Sequence, residues 1–212
     1  AMEWKGFLEQ GDAFVSHLQI SMDGSCSGCQ HLAMAMKCKT TAESVNLLLN
    51  DKPQDIYQIV ADKVIARLVD DSQQPFEHWG EPVLNNMGGR VPNYTELALE
   101  WLKHGFGRGD AKSSVMTYCY GSKMYGFKNQ IQESVMKKAR RECARTGQDF
   151  PFAYDGGYRA SSYIARLLWE AVVDTVKRPA LLMEWLTQAA SMVAKTKFTM
   201  QDGSKQTMPV RW

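Results

Sequence analysis

No apolar run in these 212 residues is long enough to span a bilayer, and no signal-peptide pattern is visible, so no membrane partner is expected. Neither charge is in excess. The 25 basic and 23 acidic residues leave a net +2, which excludes a global attraction to nucleic acid, so any such binding must come from local clusters. Cysteine is sparse and odd in number: the five stand at 26, 29, 38, 119 and 143, in helix-like contexts. That argues against a disulfide framework and for a reduced, intracellular protein. Cys26 and Cys29 form one C-x-x-C with no second pair at zinc spacing, so no metal is expected there. No internal repeat or low-complexity tract is found. What is there is an apolar share of 44%, ordinary for a soluble protein, in a chain long enough for a sizeable core.

Phe14 to Asp23 alternates, with Leu18, Ile20 and Met22 on one side, and reads as a half-buried strand ending in a carboxylate. GSCSGCQHL (24–32) then opens a helix through about Lys37. The plain role for Asp23 is a helix cap. Its place at a strand end is also where ligands gather, and Gly24 and Gly28 permit close backbone approach. Pro53 followed by Ile56, Ile59, Val60, Val64 and Leu68 predicts an amphipathic helix over 54–69. On it Tyr57 faces either core or cleft, core being the safer reading. Residues 70–93 carry six glycine or proline punctuators, Pro75, Gly80, Pro82, Gly88, Gly89 and Pro92, and read as a loop and the one plausible hinge. Further helices are expected over 95–103, 128–145, 158–176 and 180–195, the last two broken at Pro179. Lys137, Lys138, Arg140, Arg141 and Arg145 make the C-terminal half of the second of these basic, mostly as cations favoured near a helix C-terminus; one or two are placed to touch a nucleic-acid backbone. The tail reads as a hairpin turning at Asp202-Gly203.

The stretch RGDAKSSVMTYCYGSKMYGF, 108–127, organises the rest. Read as one helix, it puts Arg108, Lys112, Met116 and Tyr120 on one stripe. Two cations on one turn repel unless an anion lies between them, and a triphosphate with its sugar near Tyr120 would fit. The bland reading is a surface helix with solvated cations.

DGSCSGCQH at 23–31 and the 108–127 stretch resemble motifs A and B of the single-subunit DNA-dependent RNA polymerases of bacteriophages and mitochondria. ESVNLLLNDKPQDIYQIVADKV (43–64), WLKHGFGR before motif B and YIARLLWEAV after it are similar to that family too, in family order. The wording DGSCSG suits the phage enzymes better. The resemblance implies a right-hand polymerase fold, here mainly α (α+β). Residues 1–40 would be a palm portion with motif A, 41–197 the fingers with the motif B helix, and 198–212 a terminal palm-type hairpin. It implies template-directed nucleotidyl transfer from NTPs on a DNA template, giving an RNA product. Asp23, with the Gly24 carbonyl, would hold catalytic Mg2+. Arg108 and Lys112 would grip the triphosphate, Tyr120 would sit by the ribose, and Tyr57 would lie near the template-side pocket. Magnesium and nearby cations suit the charge that nucleotidyl transfer develops on phosphoryl oxygens and pyrophosphate. The related DNA polymerases carry a bulky Glu where Gly28 stands, so Gly28 leaves room for a 2′-OH. The family's second carboxylate belongs to an HDS motif, which does not occur here. The expectation is therefore an excised or split part of the enzyme, inactive until a second chain or missing segment supplies that carboxylate. Ser113 replaces a cation common in phage enzymes. The cytoplasm of a phage-infected cell is the expected location, ahead of a mitochondrion. The alternative from another class is a non-catalytic nucleotide- or nucleic-acid-binding module derived from the fingers.

Overall fold

The helix from Ile56 to Gln73, α4, is the centre of the core. Its Ile56, Val60, Val64 and Leu68 recur at helical spacing and are all buried. Asp55 caps it: Oδ1 accepts from the Tyr57 amide at 3.0 Å and the Gln58 amide at 3.3 Å, pairing two donors that a helix start leaves orphaned. The computed structural model describes residues 2–18, 24–195, 197–199 and 205–207. In chain order the other helices are α1 (Met2–Gln10), α2 (Ser27–Ala35), α3 (Lys39–Ser44), α5 (Tyr94–His104), α6 (Arg108–Tyr118), α7 (Met124–Ile131), α8 (Lys137–Thr146), α9 (Tyr158–Thr175) and α10 (Lys177–Lys195). The described chain is mainly helical, as expected.

α5, α6 and α9 all pack on α4, and α7 packs on α9. A capping box fixes the start of α5: the Glu96 amide donates to Asn93 Oδ1 at 3.1 Å and the Asn93 amide to Glu96 Oε2 at 2.9 Å. Trp101, fully buried on α5, donates its indole N–H to the Ala160 carbonyl at 3.0 Å and so ties α5 to α9. Beneath them the buried Asp71 accepts from the Tyr163 hydroxyl at 2.7 Å and pairs with Arg67 at 3.1 Å. A buried carboxylate persists only with such partners.

Several sequence expectations shift. α4 runs on to Gln73, and the loop after it holds a 3-10 turn, Phe76–Trp79, and a bridge between Leu84 and Arg90. The charged helix expected over 128–145 is interrupted by a π-helical turn, Gln132–Met136. The break expected at Pro179 falls at Val176, whose φ −113°, ψ 45° end α9; Pro179 sits inside the first turn of α10, where its missing N–H leaves no bond unmade. Residues 14–18 form no strand, and the remainder of the expected strand, Asp23 included, lies outside the described residues. α1 carries no sequence expectation. In the tail, Lys197–Thr199 pairs antiparallel with Lys205–Thr207, the two arms of the expected hairpin; its turn at Asp202-Gly203 lies outside the described residues.

Candidate functional site

α6 starts at Gly107, whose amide donates to Asp110 Oδ2 at 2.9 Å. Ala111, Ser114, Val115 and Tyr118 turn one side of the helix into the core. That leaves Arg108, Lys112 and Met116, spaced four apart, on the outer face. They line one wall of a cleft of about 520 Å³, whose other walls are Gly24 to Gly28 and Pro53 to Tyr57. Tyr120 completes the wall, 74% exposed, but it is not on a helix that continues to Phe127. Gly121, at φ +86°, donates its amide to the Tyr118 carbonyl, and the Ser122 amide donates to the Thr117 carbonyl. This pair of bonds is a Schellman closure with glycine in the left-handed position. Tyr120 thus sits in the closing turn, still below Met116. Of the site residues expected from sequence, Gly24, Gly28, Tyr57, Arg108, Lys112 and Tyr120 share this cleft, and Asp23 lies outside the described residues.

The cleft already contains an anion. Arg108 Nε donates to Asp55 Oδ2, an ion pair that sequence reading missed because 53 residues separate the partners. The preference of Asp for the position just before an apolar helix was its only signal. Desolvation pushes the Asp55 carboxyl up, and the Arg108 guanidinium with the Gln58 and Tyr57 amides outweighs it, holding the carboxyl below its ordinary value. Lys112 makes no ion pair among the described residues. Tyr57 is both core and cleft: it is buried, yet its ring lies 5.2 Å from the Arg108 guanidinium carbon and 6.0 Å from Lys112 Nζ. Such cation–π contacts hold the two cations over the ring. Burial, and then the neighbouring Cys26, push the Tyr57 phenol up.

Behind Gly28 lie three thiols. Cys29 Sγ is 2.9 Å from Cys119 Sγ, and Cys26 adjoins both. Hydrogen bonds from Cys119 and Cys29 push the Cys26 thiol down, while the same contacts and burial push Cys29 up. A Cβ on Gly28 would come within 2.6 Å of Cys119 Cβ and 3.8 Å of Tyr120 Cζ, so glycine is required here for packing alone. This, too, no local pattern reveals.

A family model described as DNA-dependent RNA polymerase matches residues 1–212. The chain belongs to that family. Relatives are the T7 RNA polymerase of Escherichia phage T7, 34% identical over 197 residues, and the DNA-directed RNA polymerase of Enterobacteria phage K11, also 34% over 197 residues. Each match covers 91% of this chain, and 22% and 21% of those proteins. The mitochondrial DNA-directed RNA polymerase of Mus musculus is 31% identical over 182 residues, 86% of this chain and 12% of that protein. The chain spans about a fifth of the length of the phage relatives it matches.

For a polymerase-family cleft, the described walls are cationic and not carboxylate-rich. Among the described residues no three His, Cys, Asp or Glu side chains could together hold a metal ion. The thiols behind Gly28 are soft ligands and do not suit magnesium. On α8, Lys137 pairs with Glu133, Arg145 with Glu142 at 2.6 Å, and Arg140 donates to the Gly156 carbonyl, while Lys138 and Arg141 make no ion pair among the described residues. No described helix is long and apolar enough to cross a membrane.

Proposed function

We propose that these 212 residues are part of a DNA-dependent RNA polymerase and that the cleft beside α6 receives the incoming nucleoside triphosphate. The supporting observation is convergence: three separated sequence segments bring Arg108, Lys112, Tyr120, Tyr57 and Gly28 to one cleft. In this reading Lys112, the cation without an ion-pair partner among the described residues, contacts the phosphates directly. Arg108 divides its donors between Asp55 and the phosphates, since a guanidinium has more N–H groups than one carboxylate can use. Both cations stabilise the charge that develops on the phosphoryl oxygens and the departing pyrophosphate. The Tyr120 hydroxyl meets the ribose, Gly28 leaves space for its 2′-OH, and Tyr57 forms the floor near the template side.

Residues 1–40 fall to the palm, 41–197 to the fingers and 198–212 to a palm-type hairpin in a right-hand arrangement. Asp23 and the Gly24 carbonyl would hold magnesium, whose contribution is to neutralise phosphate charge. The second carboxylate, of the HDS type, comes from outside these residues, and DNA template and RNA product are the macromolecular partners. The test is titration of a fluorescent ribonucleoside triphosphate into wild type and Lys112→Ala. Loss of a charge-assisted contact of about 1.5–3 kcal/mol weakens binding roughly ten- to a hundredfold. Equal affinities would overturn the reading and leave Lys112 a solvated surface cation.

A further inference from the structure

We propose that Cys29 and Cys119 are a reversible disulfide site that staples α2 to the turn carrying Tyr120. Their sulfurs lie 2.9 Å apart across a sequence separation of 90 residues, and all five cysteines are free. Closing that gap to a bond of about 2.0 Å takes less than an ångström of movement. The two backbones are already close, because the bare Cα side of Gly28 rests on Cys119 Cβ. Access is one-sided: Cys29 is fully buried, whereas Cys119 is partly exposed beside the open Tyr120. A small-molecule disulfide therefore meets Cys119 first.

The exchange balances without another reactant. The Cys119 sulfur attacks one sulfur of oxidised glutathione, the glutathione S–S bond breaks, and one glutathione leaves as a thiol carrying the Cys119 proton. The Cys29 sulfur then attacks the mixed disulfide at Cys119, the second glutathione leaves as a thiol with the Cys29 proton, and the protein has lost two electrons to the oxidant. A dithiol reductant reverses both steps. Structurally the bond matters because it makes a packing contact covalent: Cys29 belongs to the core shared by α2, α4 and α6, and Cys119 packs against that core just after α6 ends. The staple fixes α2 to the residue preceding Tyr120 and so restrains one wall of the cleft.

The test is to incubate the native protein with oxidised glutathione, block remaining thiols and digest with trypsin. The expected product joins the peptide 113–123 to the peptide 6–37, with two of the five thiols lost and recovered on reduction. Because 6–37 contains both Cys26 and Cys29, variants assign the bond: Cys26→Ala keeps the cross-link and Cys29→Ala abolishes it. Oxidation also raises the unfolding midpoint by roughly 5–15 °C for a loop of this length, a shift absent in Cys119→Ala. Five unchanged thiols, a cross-link that needs Cys26 in place of Cys29, or only intermolecular products would each overturn the proposal. None of these readouts involves nucleotide, so failure here and failure of the triphosphate reading are separable.

Discussion

In the proposed reading, Asp55→Asn isolates the charge that would compete with a triphosphate for Arg108. Asparagine caps a helix about as well as aspartate, so the Tyr57 and Gln58 amides keep an acceptor and α4 keeps its start. What disappears is a carboxylate paired with Arg108, both side chains being about half exposed. A pair of this exposure contributes about 0.2–1 kcal/mol. Removing it returns the guanidinium donors to the cleft and removes a like charge from beside the phosphates. The expected gain in triphosphate binding is about 1 kcal/mol, roughly a fivefold lower Kd, shrinking as salt rises. Fluorescence titration at low and high ionic strength measures it. An unchanged Kd would show that the phosphates never reach Arg108, and a weaker one would show that Asp55 serves to orient it; either result refutes the competition. The same residue has a pH signature. Its carboxyl sits below its ordinary value when folded, so its stabilising contribution is present above that ordinary value. That contribution is lost as pH falls through the lowered folded value. Acid unfolding should therefore narrow the stability difference between wild type and Asp55→Asn.

Three further outcomes are expected. Gly28→Ala places a Cβ 2.6 Å from Cys119 Cβ, and overpacking of this kind destabilises by about 1–3 kcal/mol in chemical denaturation; a neutral variant would sink the packing argument. Tyr120→Phe removes one neutral hydrogen bond of about 0.5–1.5 kcal/mol, so a binding preference for ATP over dATP should disappear in paired titrations, and an intact preference would deny Tyr120 that role. Tyr163→Phe strips the buried Asp71 carboxylate of its 2.7 Å donor, a loss of about 1.5–3 kcal/mol that should lower the melting midpoint by several degrees; an unmoved midpoint would mean water replaces the hydroxyl.

The parts of this architecture written in local period were legible. Ile56, Val60, Val64 and Leu68 announce α4 because burial on one face repeats every three to four residues. Arg108, Lys112 and Met116 announce a common wall for the same reason. Tyr120 joins them although the helix has ended, because a Schellman closure keeps its C-cap within a turn of the helix face. Gly121, directly after it, was the local sign that the helix would stop there. Pro179 misled in the opposite sense, since proline both stops helices and starts them, and here the non-helical Val176 does the stopping. Contacts between distant segments left no local trace. Neither the Asp55–Arg108 pair nor the meeting of Cys29 with Cys119 has a period or spacing that could betray it, because both are products of how α2, α4 and α6 pack.

Gly28 shows why this distinction bears on function. Its lack of a side chain is demanded once by the packing of α2 on Cys119, and it is invoked a second time, in the proposed reading, by the space a 2′-hydroxyl would need. Either demand alone would put glycine at this position, so the residue by itself does not select between them. Enlarging it would push on Cys119 and, through the next residue, on Tyr120, so any change in sugar preference would arrive mixed with a change in the turn. Tyr120→Phe leaves the backbone, the thiols and the ring in place and alters one hydroxyl on a largely exposed side chain. The proposed sugar recognition is therefore tested at Tyr120 and not at Gly28.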